Sequence, residues 1–166
     1  FKTRKALACV NLYRYFCVDE DLVLLEAAKE PEDQNLPVIL GLGGKIIVPK
    51  AGKQYDIKEL RIALDIIKEA KVNSLLKDCR INKIDVTNAA TASFFMLIPS
   101  TLPNYPKGKS QAESAGLDVR IGQDNISGKM HILSGVFMQL KNDLSKIKYI
   151  DLRFKEPVIR FNDNKN

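Results

Sequence analysis

The stretch Lys148–Phe161, KYIDLRFKEPVIRF, decides how this chain is read. Its two halves alternate between apolar and polar residues with a period of two, the pattern of half-buried strands. YIDLR sets Ile150 and Leu152 on one side and Tyr149, Asp151 and Arg153 on the other. The charged pair Lys155–Glu156 between the halves reads as a turn. Pro157 then opens the second half. Proline has no N–H to give to a ladder, so in sheets it is confined to edges, strand starts and bulges. The stretch therefore predicts a closing hairpin whose last strand, Val158 to Phe161, lies outermost in its sheet.

Upstream of this hairpin, SGKMHILSGVFMQLKNDLS, residues 127–145, predicts a helix. Ser127 is its expected cap, and Ile132, Leu133, Val136, Phe137, Leu140 and Leu144 form the expected inner face. LDVRIG, 117–122, reads as a strand. PSTLPNYPKGKSQAESAG, 99–116, holds three prolines, three serines and two glycines and reads as a long flexible loop. ASFFMLI and RINKIDVTN before it read as strands, with Ile84 and Val86 on one side, Lys83 and Asp85 on the other, and Ile81 out of step.

YDIKELRIALDIIKEAKVNSLL, 55–76, is the clearest helix: Ile57, Leu60, Leu64 and Ile67 recur on one face, and Lys58, Glu59, Lys68 and Glu69 on the other. Asp56 with Glu59 three residues on suggests a variant capping box. LPVILGLGGKIIVP, 36–49, predicts two short extended pieces with a turn at Gly41 to Gly44. KEPEDQN, 29–35, is a polar loop. YFCV and LVLLE flank DED and predict a hairpin turning at Asp19 to Asp21. The order of elements gives an α+β fold, a largely antiparallel β-sheet with two main helices packed on one face.

Composition supports a packed domain: 166 residues, 45% hydrophobic and 28% charged. The longest apolar run, SFFMLI, falls far short of the ~20 residues of a spanning helix. The chain opens at Phe1 rather than Met, which points to sequence upstream. A net charge of +6 favours acidic surroundings, but scattered lysines read first as a solvated surface. Cys9, Cys17 and Cys79 show no CxxC spacing. They read as small apolar side chains; a Cys9–Cys17 bridge across a hairpin is the open alternative.

Signals of catalysis are weak. GLGGK lacks the GxxxxGK[ST] spacing of a phosphate loop and leads into no helix, so a turn is the better reading. The Asp19–Asp21 carboxylates lack the further oxygen ligands of a calcium loop and read as a solvated turn. His131, the single histidine, has no zinc or triad motif beside it. No Trp and no aromatic–basic interleaving point to nucleic acid. No catalytic, metal or cofactor residue is expected.

The ordered set of NLPVILGL, a helix, INKIDV, a strand, LDVRIG, a second helix and YIDLRF resembles the extracytoplasmic β domain of the FtsQ/DivIB family of bacterial cell-division proteins. The resemblance covers roughly residues 5 to 162, with YIDLR its most telling piece. DED stands where the family tends to carry a glycine, and the 99–116 loop is longer than usual.

The resemblance implies that residues 1–8 leave a preceding POTRA domain, that 9–162 form the β domain and that 163–166 are a disordered tail. It implies a single-pass protein on the extracytoplasmic face of the cell membrane, enriched at the division septum. It implies a non-enzymatic scaffold that binds the coiled-coil division proteins FtsL and FtsB/DivIC. Partner binding at the family's final strand maps here to Phe154, Val158, Ile159, Arg160 and Phe161. Addition of a partner strand at this edge is the expected mechanism; a basic polyanion-binding module is the alternative.

Overall fold

Residues 3–27, 35–99, 115–140 and 143–163 are described by the computed structural model. Nine strands lie among them: β1 Ala8–Asn11, β2 Tyr15–Val18, β3 Leu24–Ala27, β4 Val38–Leu40, β5 Arg80–Asp85, β6 Ser93–Ile98, β7 Ala115–Arg120, β8 Ile147–Asp151 and β9 Val158–Phe161. Helix α1 spans Lys58–Val72 and α2 spans Ile126–Gln139. The strands form one sheet in the order β3-β2-β1-β4-β5-β6-β7-β8-β9. Five neighbour pairs are antiparallel, and β1–β4, β4–β5 and β7–β8 are parallel. The sheet is thus α+β and mostly antiparallel. Parallel neighbours cannot be joined by a tight turn and need a crossover. Helix α1 lies between β4 and β5 in the chain, and α2 between β7 and β8.

Register explains the core. Phe16, Val10, Ile39, Ile84, Phe94, Val119, Ile150 and Ile159 are successive cross-strand partners in one row. All but Ile159 are buried. The adjoining row runs Cys17, Cys9, Val38, Lys83, Phe95, Asp118, Tyr149 and Arg160. Successive residues point to opposite faces, so one apolar row backs on a mixed one. Ile81 is buried although it lies three positions from Ile84, because the β5–β6 register shifts between Ile81 and Lys83. The extra residue returns Ile81 to the apolar face, which accounts for its being out of step in the sequence.

The helix ends depart from expectation. Helix α1 is capped at Ile57 with no side-chain bond, so the Asp56–Glu59 capping box is not formed. The Asp56 carboxylate instead faces Arg61 at 3.1 Å, and Glu59 faces Lys45 at 3.6 Å. Asn125, not Ser127, caps α2: it takes the left-handed conformation and its side chain accepts from the Gly128 N–H at 3.3 Å. Asparagine tolerates that conformation better than most residues do. Ser127 lies in the first turn and its hydroxyl donates to Glu69 of α1 at 3.3 Å. The buried face of α2 is Ile126, Met130, Leu133, Val136 and Phe137, while Ile132 is exposed. Leu140 packs partly buried at the helix end, and Leu144 is buried in a short 3-10 turn.

The second extended piece expected after GLGG is absent. Ile46 folds back to donate to the Leu42 carbonyl at 2.9 Å, and Ile47 and Val48 are 81% and 78% exposed. Gly41 is fixed by its backbone: φ is +97°, and a Cβ there would lie 2.3 Å from the Thr87 amide nitrogen. The hairpin expected at Asp19 to Asp21 stands as β2–β3, and β1 pairs antiparallel with β2 ahead of it. The 29–34 part of the polar loop, residues 100–114 of the long loop and the tail from 164 lie outside the described residues. Among the described residues no helix is long and apolar enough to cross a membrane.

Candidate partner-binding edge

Among the described residues, strand β9 terminates the sheet and pairs with β8 alone. The direction of its backbone groups follows from two hydrogen bonds. The Leu152 N–H donates to Arg120 on β7 at 2.8 Å, so Ile150 and Leu152 turn their backbone toward β7. Asp151 and Tyr149 therefore turn theirs toward β9, where their partners are Val158 and Arg160. At the other end the Asn162 N–H donates to Lys146 at 2.7 Å, in the same phase. Ile159 and Phe161 are left with their N–H and C=O groups directed away from the sheet. Pro157 shares that phase, so its missing N–H costs the β8–β9 ladder nothing.

Side chains divide across this edge. Ile159 sits opposite buried Ile150 and is packed partly against the core; Phe161 sits opposite Ile147 and is 46% exposed. Val158 and Arg160, both exposed, belong to the opposite phase, with Arg160 opposite Tyr149. Phe154 lies in the turn before β9 and is 60% exposed. All five predicted residues therefore cluster on the last hairpin, but not on one face.

The start of the turn between β8 and β9 carries a fork that alternation in the sequence does not single out. Asp151 is only 3% exposed. Its guanidinium partner is Arg153: Nε is shared between Oδ1 at 3.0 Å and Oδ2 at 3.3 Å, Nη2 donates to Oδ2 at 2.8 Å, and the Arg153 N–H donates to Oδ1 at 3.0 Å. The Arg153 guanidinium also lies 5.8 Å from the Phe154 ring centre. On β7, Arg120 stacks over the Tyr149 ring at 3.9 Å. The Asp-x-Arg spacing in YIDLR was the available signal, since a period of two sets both side chains on one side, although β8 itself ends at Asp151.

The Asp19 turn uses the same device. Asp19 is buried rather than solvated. Its carboxylate takes the Arg4 guanidinium at 2.6 Å and the amides of Asp21 and Val23 at 2.9 and 3.0 Å. Among the described residues no group of three or more His, Cys, Asp or Glu converges for a metal, and His131 sits exposed on α2.

Both buried carboxyls are held below their ordinary range. At Asp151 the Arg153 hydrogen bond is the main cause, outweighing desolvation. At Asp19 burial pushes the carboxyl up, and the combined bonds from Arg4, Val23 and Asp21 outweigh it. A carboxyl with a depressed folded value stabilises above its unfolded value, near 4, and loses that contribution as pH falls through the folded value. The thermal midpoint is therefore expected to drop as pH falls below about 4. Calorimetry should find a shallower drop for Asp151→Asn than for the unaltered chain. Equal drops would remove Asp151 as a source of the acid sensitivity.

Comparison with known proteins points to one family. The family model "Cell division protein FtsQ/DivIB, C-terminal" matches residues 6–153, ending just before β9. The chain is 22% identical over 157 residues to the cell division protein FtsQ of Geotalea daltonii (strain DSM 22248 / JCM 15807 / FRC-32), an alignment covering 94% of this chain and 50% of that protein. It thus spans about half the length of the curated relative it matches. Since the family match takes in nearly every element from β1 to the Asp151–Arg153 fork, the chain belongs to the FtsQ/DivIB family of cell-division proteins.

Proposed function

We propose that this chain is a non-enzymatic scaffold domain of the bacterial division machinery, and that it captures an extended segment of an FtsB/DivIC-type partner on the free edge of β9. FtsL-type proteins join the same assembly, coupling division to septal wall synthesis, and the whole protein is anchored in the membrane with this domain outside the cytoplasm. The observation that carries the reading is the outward direction of the Ile159 and Phe161 backbone groups beside exposed Phe154, Val158 and Phe161. An unpaired edge offers main-chain hydrogen bonds to any extended chain, and its side chains select which chain binds. Exposed apolar edges are otherwise an aggregation hazard; a resident partner removes it.

The same reading places α1 and α2 on one face of the sheet. Strands β4, β5, β7 and β8 run in the same direction, and each helix makes a crossover one step toward β9. Crossovers of this kind are right-handed in nearly all proteins, and two of the same hand and step fall on the same side. The Ser127–Glu69 bond between the helices supports this. The opposite face is then open beside the binding edge.

The test separates backbone pairing from side-chain contact. Phe161→Pro removes an outward N–H without touching the β8 ladder, and Phe161→Ala removes the ring alone. Calorimetric titration with the extracytoplasmic segment of an FtsB/DivIC-type protein should show Phe161→Pro binding several-fold more weakly than Phe161→Ala, about one net hydrogen bond's worth. Equal affinities would exclude pairing at that amide. Affinity that instead collapses with salt and ignores both changes would favour polyanion binding.

A further inference from the structure

We propose that Cys9 and Cys17 are an oxidation site, a cross-strand thiol pair that closes into a disulfide stapling β1 to β2. The two residues are directly opposite in the antiparallel register. Cys9 gives its N–H to Pro37, on the β4 side, at 2.9 Å. The pair therefore occupies a non-hydrogen-bonded site of the β1–β2 ladder, where opposed Cα atoms approach to about 4.5 Å. That separation falls inside the range a disulfide spans, about 4.4–6.8 Å. Opposed side chains share a face, so the two thiols stand side by side, both buried. Cys79 stands apart, half-buried between a 3-10 turn and β5, beside Leu76 and Ile81.

The oxidant is a small disulfide such as oxidised glutathione. One cysteine thiolate attacks it and expels one glutathione thiol, leaving a protein–glutathione mixed disulfide. The second cysteine, losing its proton, attacks the protein sulfur of that bond and expels the second glutathione thiol. Two protein thiols become one disulfide, and two electrons and two protons pass to glutathione.

Burial sets the timing. It pushes the Cys9 thiol up to about 12 and raises Cys17 as well, so attacking thiolate is scarce once the sheet has closed. The bond forms while the hairpin is still open to solvent.

The test refolds the chain Phe1–Asn166 from denaturant in a glutathione redox mixture, then alkylates remaining thiols and maps the peptides. The expected product links Cys9 to Cys17, leaves Cys79 alkylated, and unfolds about 5 to 10 °C higher than the reduced chain. Folded chain, verified by circular dichroism, in which Cys9 and Cys17 are both alkylated would overturn the proposal. So would a link that includes Cys79. Cys79→Ser must leave the bond and the shift intact, and Cys17→Ser must abolish both; should Cys17→Ser not fold, the Cys79→Ser chain decides.

Discussion

A chain carrying Ile159→Lys and Phe161→Lys is expected to stay folded and to lose an FtsB/DivIC-type segment by about 100-fold or more. Both residues lie on the outermost strand, and neither belongs to the buried core. A lysine stem can lie along the apolar edge that Ile159 covers while its ammonium reaches water. The cost to the fold is therefore expected to be near 1 kcal/mol, within the usual range for such positions. Binding is hit harder. An apolar anchor in the centre of an interface is worth ~2 kcal/mol or more on removal, and each 1.4 kcal/mol is a factor of ten. The measurement is a titration beside a melting curve, because only a folded variant speaks to the site. Undiminished binding by the folded double variant would move the partner surface elsewhere.

Phe94→Ala is expected to have the largest effect on stability, a loss of about 3–5 kcal/mol. Phe94 is fully buried at the middle of the apolar row, between Ile84 on β5 and Val119 on β7. Its loss leaves a cavity walled by strands on both sides, which cannot collapse without moving the sheet. A domain of this size has ~5–15 kcal/mol in hand, so the variant is expected to remain folded at low temperature and to melt some 6 to 20 °C earlier. Denaturant unfolding that finds less than about 1 kcal/mol would mean that the row is not the core. The neighbouring Phe95 points to the mixed face and is only half-buried, so Phe95→Ala serves as the control.

The closing hairpin was legible from KYIDLRFKEPVIRF because alternation, a charged turn and a proline each report on local backbone, and all three agree. The strands of RINKIDVTN and SFFMLI were legible for the same reason. Parallel pairing was not. β1–β4, β4–β5 and β7–β8 are joined through segments far apart in sequence, and no local pattern marks them. Helix ends were misread where two chemically adequate caps stood close together: Asn125 won over Ser127, and Asp56 was taken by Arg61. Burial of Asp19 and Asp151 was invisible, since an acid in a turn or on an alternating strand reads as solvent-facing. Only the folded chain brings Arg4 to the first and aligns the Arg153 fork on the second. The five candidate residues were named from the last hairpin alone, and their division between two faces depends on a register that the pairings of β8 reveal.

Strand addition at β9 is tested most directly by amide hydrogen exchange, read residue by residue, with and without the FtsB/DivIC-type segment. In the unbound chain the amides of Val158 and Arg160 should already be slowed by β8, and those of Ile159 and Phe161 should exchange freely. On binding, Ile159 and Phe161 should become protected while their neighbours change little. Saturating partner that leaves Ile159 and Phe161 in fast exchange would contradict the account.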